Sequence, residues 1–338
     1  MRIGIPQIFS LAAFSAVFLF FLTGLSAHAQ DTLLAGKKGL EKGQVQWKFS
    51  WPTEAAGKRS FWDVITGKKH EPLRRPISLW VEKDGDFWVL DQESKTILEV
   101  EEGVGKTPHF ISKKEFGFNS LVGICRFVNG TYLVTDSYLN KIFLIDPQNK
   151  ICKVWNDSLV LDKPTGIGWN SMTNEVWLTE TGKHRIDILN NDGKIVRYIG
   201  MRGKQPGEFN FPTHLCIDAE GNAYVVDAMN FRVQIFNKDG ELISYFGSNG
   251  DATGYFASPK GISVDSYGNI YIVDALFHAV QIFNMKGDFL YSFGAQGRGN
   301  GEFWMPNGIF IDEQNNIYVA DSYNSRVQCF QLIPGGVK

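Results

Sequence analysis

Residues 258–294 read SPKGISVDSYGNIYIVDALFHAVQIFNMKGDFLYSFG, and the same wording surrounds them. Residues 211–247 read FPTHLCIDAEGNAYVVDAMNFRVQIFNKDGELISYFG, and residues 305–330 read MPNGIFIDEQNNIYVADSYNSRVQCF. Three more divergent copies begin at Pro76, Leu121 and Pro164; counted on to Pro212, Pro259 and Pro306, the six copies lie 45, 43, 48, 47 and 47 residues apart. A repeat of this period is the sequence signature of propeller blades, each a four-stranded antiparallel sheet.

Within a copy, short runs rich in β-branched and aromatic residues are separated by turn signals. In residues 211–247 this places strands at Leu215 to Asp218, Ala223 to Asp227, Val233 to Phe236 and Leu242 to Phe246. The first hairpin carries Gly221-Asn222, Gly268-Asn269 or Asn315-Asn316, residues that tolerate a positive φ. No amphipathic helical pattern competes. The sixth copy runs out after its third strand. Residues 44–51 alternate apolar and polar side chains outside every repeat, and they are expected to supply the missing strand and close the ring. The fold class read from the sequence is therefore all-β: one closed six-bladed β-propeller comprising residues 76–338 together with 44–51. Closure removes sheet edges that invite association.

The run P-x-G-I-x-V-D, then G-N-I-Y-V-x-D, then R-V-Q-x-F, as in residues 259–283, resembles the NHL repeat. The resemblance covers nearly all of the chain from Gln30 onward. Residues 61–75 (FWDVITGKKHEPLRR) resemble the lead-in to the first blade of bacterial extracytoplasmic NHL proteins. It implies the fold strongly and an activity only weakly.

Residues 1–29 read as a signal peptide: Arg2, an apolar run from Ile8 to Leu25, and Ala27-His28-Ala29 ahead of Gln30. The run is long enough to reach the lower limit of a spanning helix, so an uncleaved anchor is the other reading. Cleavage would leave no stable membrane span in a periplasmic or secreted protein, expected to be a monomer. Residues 30–75 form a lead-in. It holds the one locally basic stretch, Lys58, Arg59, Lys68, Lys69, His70, Arg74 and Arg75, readable as a solvated linker or an anion patch. Lys and Arg total 34 against 36 Asp and Glu, a balance that disfavours nucleic-acid binding. The four cysteines, Cys125, Cys152, Cys216 and Cys329, fall at scattered strand positions and read as free thiols.

In an up-and-down blade the connections after strands two and four share one face, and here those connections vary most. Recognition is therefore expected there, around the mouth of the central channel. The residue after the leading proline position is Ile77, Val122, Thr165, Thr213, Lys260 and Asn307 around the ring, and His214 stands where most copies have Gly. A second ring ends strand two: Asp91, Asp136, Glu180, Asp227, Asp274 and Asp321. Lys141, Arg185, Arg232 and Arg326 follow four of these acids by five residues, so the acids are read as loop anchors paired to a base. Asp91 and Asp274 lack that base and are the members open to another use. The candidate binding face comprises Tyr138, Lys183, His184, Thr213, His214, Met229, Lys260, Phe277, His278, Asn307 and Tyr323, the loop members being read as exposed.

The favoured function is a non-catalytic module that binds a protein or peptide in the cell envelope, with no cofactor. The alternative is a metal-dependent propeller enzyme, a peptidyl-hydroxyglycine-type lyase or a lactonase, requiring zinc or calcium. In that lyase family, which shares the repeat, zinc-binding histidines directly follow the leading proline. None of the six copies has one there. Tyr138 and Tyr323 match the tyrosine of the family's D-x-Y loop, but its D-R-x-N arginine has no counterpart.

Overall fold

In the computed structural model of the protein, the described residues are 45–52, 73–100, 109–112 and 116–333. The signal segment 1–29, most of the lead-in and Gln44 lie outside them. Six sheets of four antiparallel strands form the molecule. Blade 4 shows the pattern: Pro212–Ile217 innermost, then Ala223–Asp227, Arg232–Phe236 and Leu242–Phe246 outermost. These bounds match the sequence reading except that the inner strand already begins at Pro212, before a register shift between Pro212 and Leu215.

The second strand of a blade, such as Ala223–Asp227 or Ile270–Asp274, is buried along its whole length, because its alternating side chains face a neighbouring blade on either side. The outer strand Leu242–Phe246 instead alternates, with Ile243 and Tyr245 exposed to solvent. Six clusters of buried side chains fill the six junctions. Phe246, Phe256 and Phe283 lie between blades 4 and 5, and Trp177, Phe209 and Phe236 between blades 3 and 4. Each fully buried aromatic of this kind stabilises by about 1.5–3 kcal/mol. One cluster joins blade 6 to blade 1 through Val327, Cys329, Leu79 and Val89, which makes the arrangement a ring.

Blade 6 takes three strands from the C-terminal end, Ile309–Ile311, Asn316–Asp321 and Arg326–Leu332. Its outermost strand is Val45–Trp51, antiparallel to Arg326–Leu332 with Val45 opposite Leu332 and Trp51 opposite Val327. Val45 is buried in the blade 5–6 cluster and Trp47 packs against it, while Gln46 and Lys48 are exposed. The four cysteines are free. Burial pushes the Cys125 thiol up to about 12.

Candidate functional site

In every blade the first residue after the acid that ends strand two, or the next one, donates its N–H to the segment leading into the inner strand. Examples are Met229 to the Asn210 carbonyl at 3.0 Å, Tyr323 to that of Trp304 at 3.1 Å and Ala275 to that of Ser258 at 3.0 Å. These bonds put the two variable connections on one face.

The six acids are fully buried and explain how that face is held. Asp227 accepts from the Asn210 N–H, Asn230 Nδ2 and Arg232 Nε, and Asp321 from the Trp304 N–H, Asn324 Nδ2 and Arg326 Nε. Glu180 pairs with both Lys183 and Arg185. Buried carboxylates saturated in this way are anchors. Two expectations need correction. Lys141 does not close the loop over Asp136; its Nζ reaches the exposed Asp157, and Asp136 accepts from the N–H groups of Asn119, Ser120, Tyr138 and Leu139. Asp91 and Asp274, which lack a basic residue, carry nothing unusual: each accepts from four main-chain N–H groups, those of Arg74, Arg75, Glu93 and Ser94, and of Ala257, Ser258, Leu276 and Phe277.

Four residues after each acid the chain turns left-handed, at Lys95, Asn140, His184, Phe231, His278 and Ser325. Five of these non-glycine residues use their side chains to hold the next blade, Lys95 by donating to Asn119 Oδ1, Ser325 by donating to the Arg74 carbonyl, and three as acceptors. Asn140 Oδ1 accepts the Lys163 N–H at 2.8 Å, His184 Nδ1 that of Phe211 at 3.1 Å, and His278 Nδ1 that of Met305 at 3.0 Å. The reading of His184 as exposed is thus overturned: it is 7% exposed, packed at a tilt against Phe211 with ring centroids 4.2 Å apart. His278 is half-buried and employed in the same way. Burial lowers the pKa of both imidazoles, and the Arg202 charge adds to this at His184. Lys183 is tied to Glu180 and to the Val160 carbonyl, and Phe277 is half-buried.

What remains of the expected face divides into two groups. Tyr138, Met229 and Tyr323 are 70%, 54% and 51% exposed and form a rim, joined by exposed Trp304 and Phe211, which the sequence reading did not include. The Arg75 guanidinium lies 5.1 Å from the Tyr323 ring, and Arg298 lies 5.1 Å from Trp304. The second group comprises Thr213, His214 and Lys260, on the inner strands of blades 4 and 5, and Asn307, just ahead of the inner strand of blade 6. All four are half-buried. Thr213 Oγ1, both His214 nitrogens and Asn307 Oδ1 are covered and have no hydrogen-bond partner in the protein. Burial, with the Lys260 charge, pushes the His214 imidazole down to about 3, so it is neutral at physiological pH. Burial also lowers Lys260, against the pull of Asp274.

Among the described residues, no group of three or more His, Cys, Asp or Glu is arranged to hold a metal ion, and no helix is long and apolar enough to cross a membrane.

A family model described as a 6-bladed beta-propeller matches residues 266–334. A comparison with curated proteins finds no match. Among solved structures, virginiamycin B lyase from Staphylococcus aureus superposes with a TM-score of 0.56 at 16% identity, over 78% of this chain and 97% of that one. An auxiliary nutrient binding protein from Bacteroides ovatus gives 0.60 at 13% identity, over 77% of this chain and 69% of its own. Hydrazine synthase from Kuenenia stuttgartiensis gives 0.56 at 14% identity, over 80% and 99%. These likenesses share the ring of blades. At such identities they carry fold alone.

Proposed function

We propose that the chain is an exported propeller of the NHL-repeat type that binds a protein or peptide partner in the bacterial cell envelope through its loop face, without catalysis. The observation that carries this reading is the rim: Tyr138, Met229 and Tyr323 stand out from loops whose backbones are fixed by buried acids. Large, half-apolar side chains on a rigid frame lose little conformational freedom on binding, which is what a recognition surface requires. Nothing at the mouth favours the lyase or lactonase reading, since Lys260 is the one formal charge among the six positions after the leading proline and a cation there opposes zinc or calcium.

The test is binding to an envelope extract by the wild-type chain and by a Y138S/M229S/Y323S variant, with the fold checked by circular dichroism. Loss of the retained partner in the variant is the expected result. Retention at equal strength by a folded variant would show that the rim is not the contact.

A further inference from the structure

The inner strands carry a second polar feature that the rim does not need. In blade 3 the Thr165 hydroxyl is fully provided for, lying 2.8 Å from Thr179 Oγ1, 2.6 Å from Thr181 Oγ1 and 2.7 Å from the Thr213 carbonyl. The positions equivalent to Thr179 and Thr181 are Val226 and Ala228 in blade 4, and Val273 and Ala275 in blade 5. The chain keeps a polar residue at the mouth in both blades, Thr213 and Lys260, yet removes the hydroxyls that would satisfy it.

At His214 the contrast is sharper. A Cβ at the equivalent Gly166 would meet the Thr213 carbonyl at 2.6 Å, and one at Gly261 would meet the Asn307 carbonyl at 2.5 Å. Inner strands therefore press directly on one another at those junctions, and the blade 4–5 junction instead admits an imidazole. Lys260, next to it, forms no hydrogen bond or ion pair with a described residue. Among the described residues its electrostatic support is Asp274, already saturated by main-chain N–H groups. A half-buried ammonium, a hydroxyl, a neutral imidazole and an amide thus occupy neighbouring positions at the mouth in three consecutive blades, and the Lys260 charge reaches His214. Each residue is half-buried, so part of every one of these side chains is open to solvent at the mouth.

We propose that the channel mouth between blades 4, 5 and 6 binds a small organic carboxylate, with Lys260 Nζ supplying the charge and Thr213 Oγ1, a His214 ring N–H and Asn307 Nδ2 donating the neutral hydrogen bonds. One lysine and no arginine match a monoanion rather than a phosphate dianion, whose second charge would be left unpaired in a partly desolvated site. The carboxylate comes either from a free small acid or from the C-terminus of a peptide. The site does not depend on the rim's being a contact surface.

The experiment is an NMR titration of the full chain, following the His214 ring resonances, assigned by their loss in H214Q. The probes are propionate, trialanine as free acid, trialanine amide and inorganic phosphate. Saturable shifts with propionate, weakened about tenfold or more in K260M and less in T213V, are expected. Tighter binding of trialanine acid than of propionate would identify the peptide terminus as the source, and equal or weaker binding the free acid; either supports the site. Trialanine amide should not bind. No saturable shift with either carboxylate, an undiminished shift in K260M, or equal shifts with phosphate or the amide would overturn the proposal. If K260M does not fold, K260Q and the wild-type probe series decide it.

Discussion

His184 Nδ1 accepts the main-chain N–H of Phe211, so the loop of blade 3 holds the residue that leads into blade 4. His278 does the same for Met305 between blades 5 and 6. Both bonds need an unprotonated Nδ1. Protonation turns the acceptor into a donor facing another donor.

The folded pKa of both histidines lies below the ordinary 6.5, so their contribution to stability is present above that value and lost as pH falls through the folded pKa. Thermal unfolding of the wild type should therefore soften as pH drops below 6.5. In H184A/H278A that acid slope should shrink, leaving the part due to His214, whose folded value is about 3. At neutral pH each alanine should cost about 1 kcal/mol for the abandoned N–H. An unchanged slope in the double variant would refute the assignment.

Asp187 titrates in the opposite sense. It is buried beside Glu180 and shares Arg185, whose Nε lies 2.8 Å from Asp187 Oδ1, while Oδ2 has no partner. Burial and then the neighbouring Glu180 raise its pKa. A raised carboxyl contributes stability fully below its ordinary value and loses it as pH rises through the folded one. Blades 4, 5 and 6 carry Gln234, Gln281 and Gln328 at this position. D187N should therefore flatten the loss of stability toward neutral pH and raise the melting temperature at pH 8 more than at pH 5. R185M, which leaves buried Asp187 without a base and Glu180 with Lys183 alone, should cost about 3–5 kcal/mol at neutral pH.

The ring of blades was legible because each second strand repeats an apolar run ending on an acid, and periodicity is a property of the chain itself. The pairing of Arg232 and Arg326 with their acids was equally legible, since a β-hairpin fixes a five-residue offset. Lys141 misled because its long stem reaches Asp157 instead. His184 and His278 were read as exposed because loop position was taken for exposure. The signal that marks them is an acceptor side chain four residues after the acid, facing a left-handed residue before the next blade's leading proline. The places of Thr213, His214, Lys260 and Asn307 at the mouth were legible from their offsets to the leading proline, but that Thr213, His214 and Asn307 carry unpartnered atoms depends on spacing between blades, which no local pattern encodes.

Spacing between blades is open to a direct check. Gly261 faces the Asn307 carbonyl and the Ile309 nitrogen, which an added Cβ would meet at 2.5 and 2.8 Å. Both are backbone atoms of the adjoining inner strand and cannot rotate away. G261A should lose about 1–3 kcal/mol in denaturant unfolding. H214G, which makes blade 4 like its neighbours, should lose less than G261A. Equal losses would show that the blade 4–5 junction is as tight as the others.

The N-terminal strand offers the widest test of the ring. Val45 sits in one cluster with Phe303 and Phe330, and the Trp51 ring meets Phe87 of blade 1 edge-on at 5.6 Å, so Val45–Trp51 touches blades 5, 6 and 1. Removing residues up to 52 would uncover the edge of Arg326–Leu332, whose free N–H and C=O groups invite pairing with another chain. The truncated protein should melt at lower temperature and sediment as concentration-dependent oligomers. V45A/W51A keeps the backbone pairing and removes only side-chain burial, so it should stay monodisperse while losing about 2–5 kcal/mol. A truncated chain that remains monomeric and melts with the wild type would mean that the three C-terminal strands complete the ring without help.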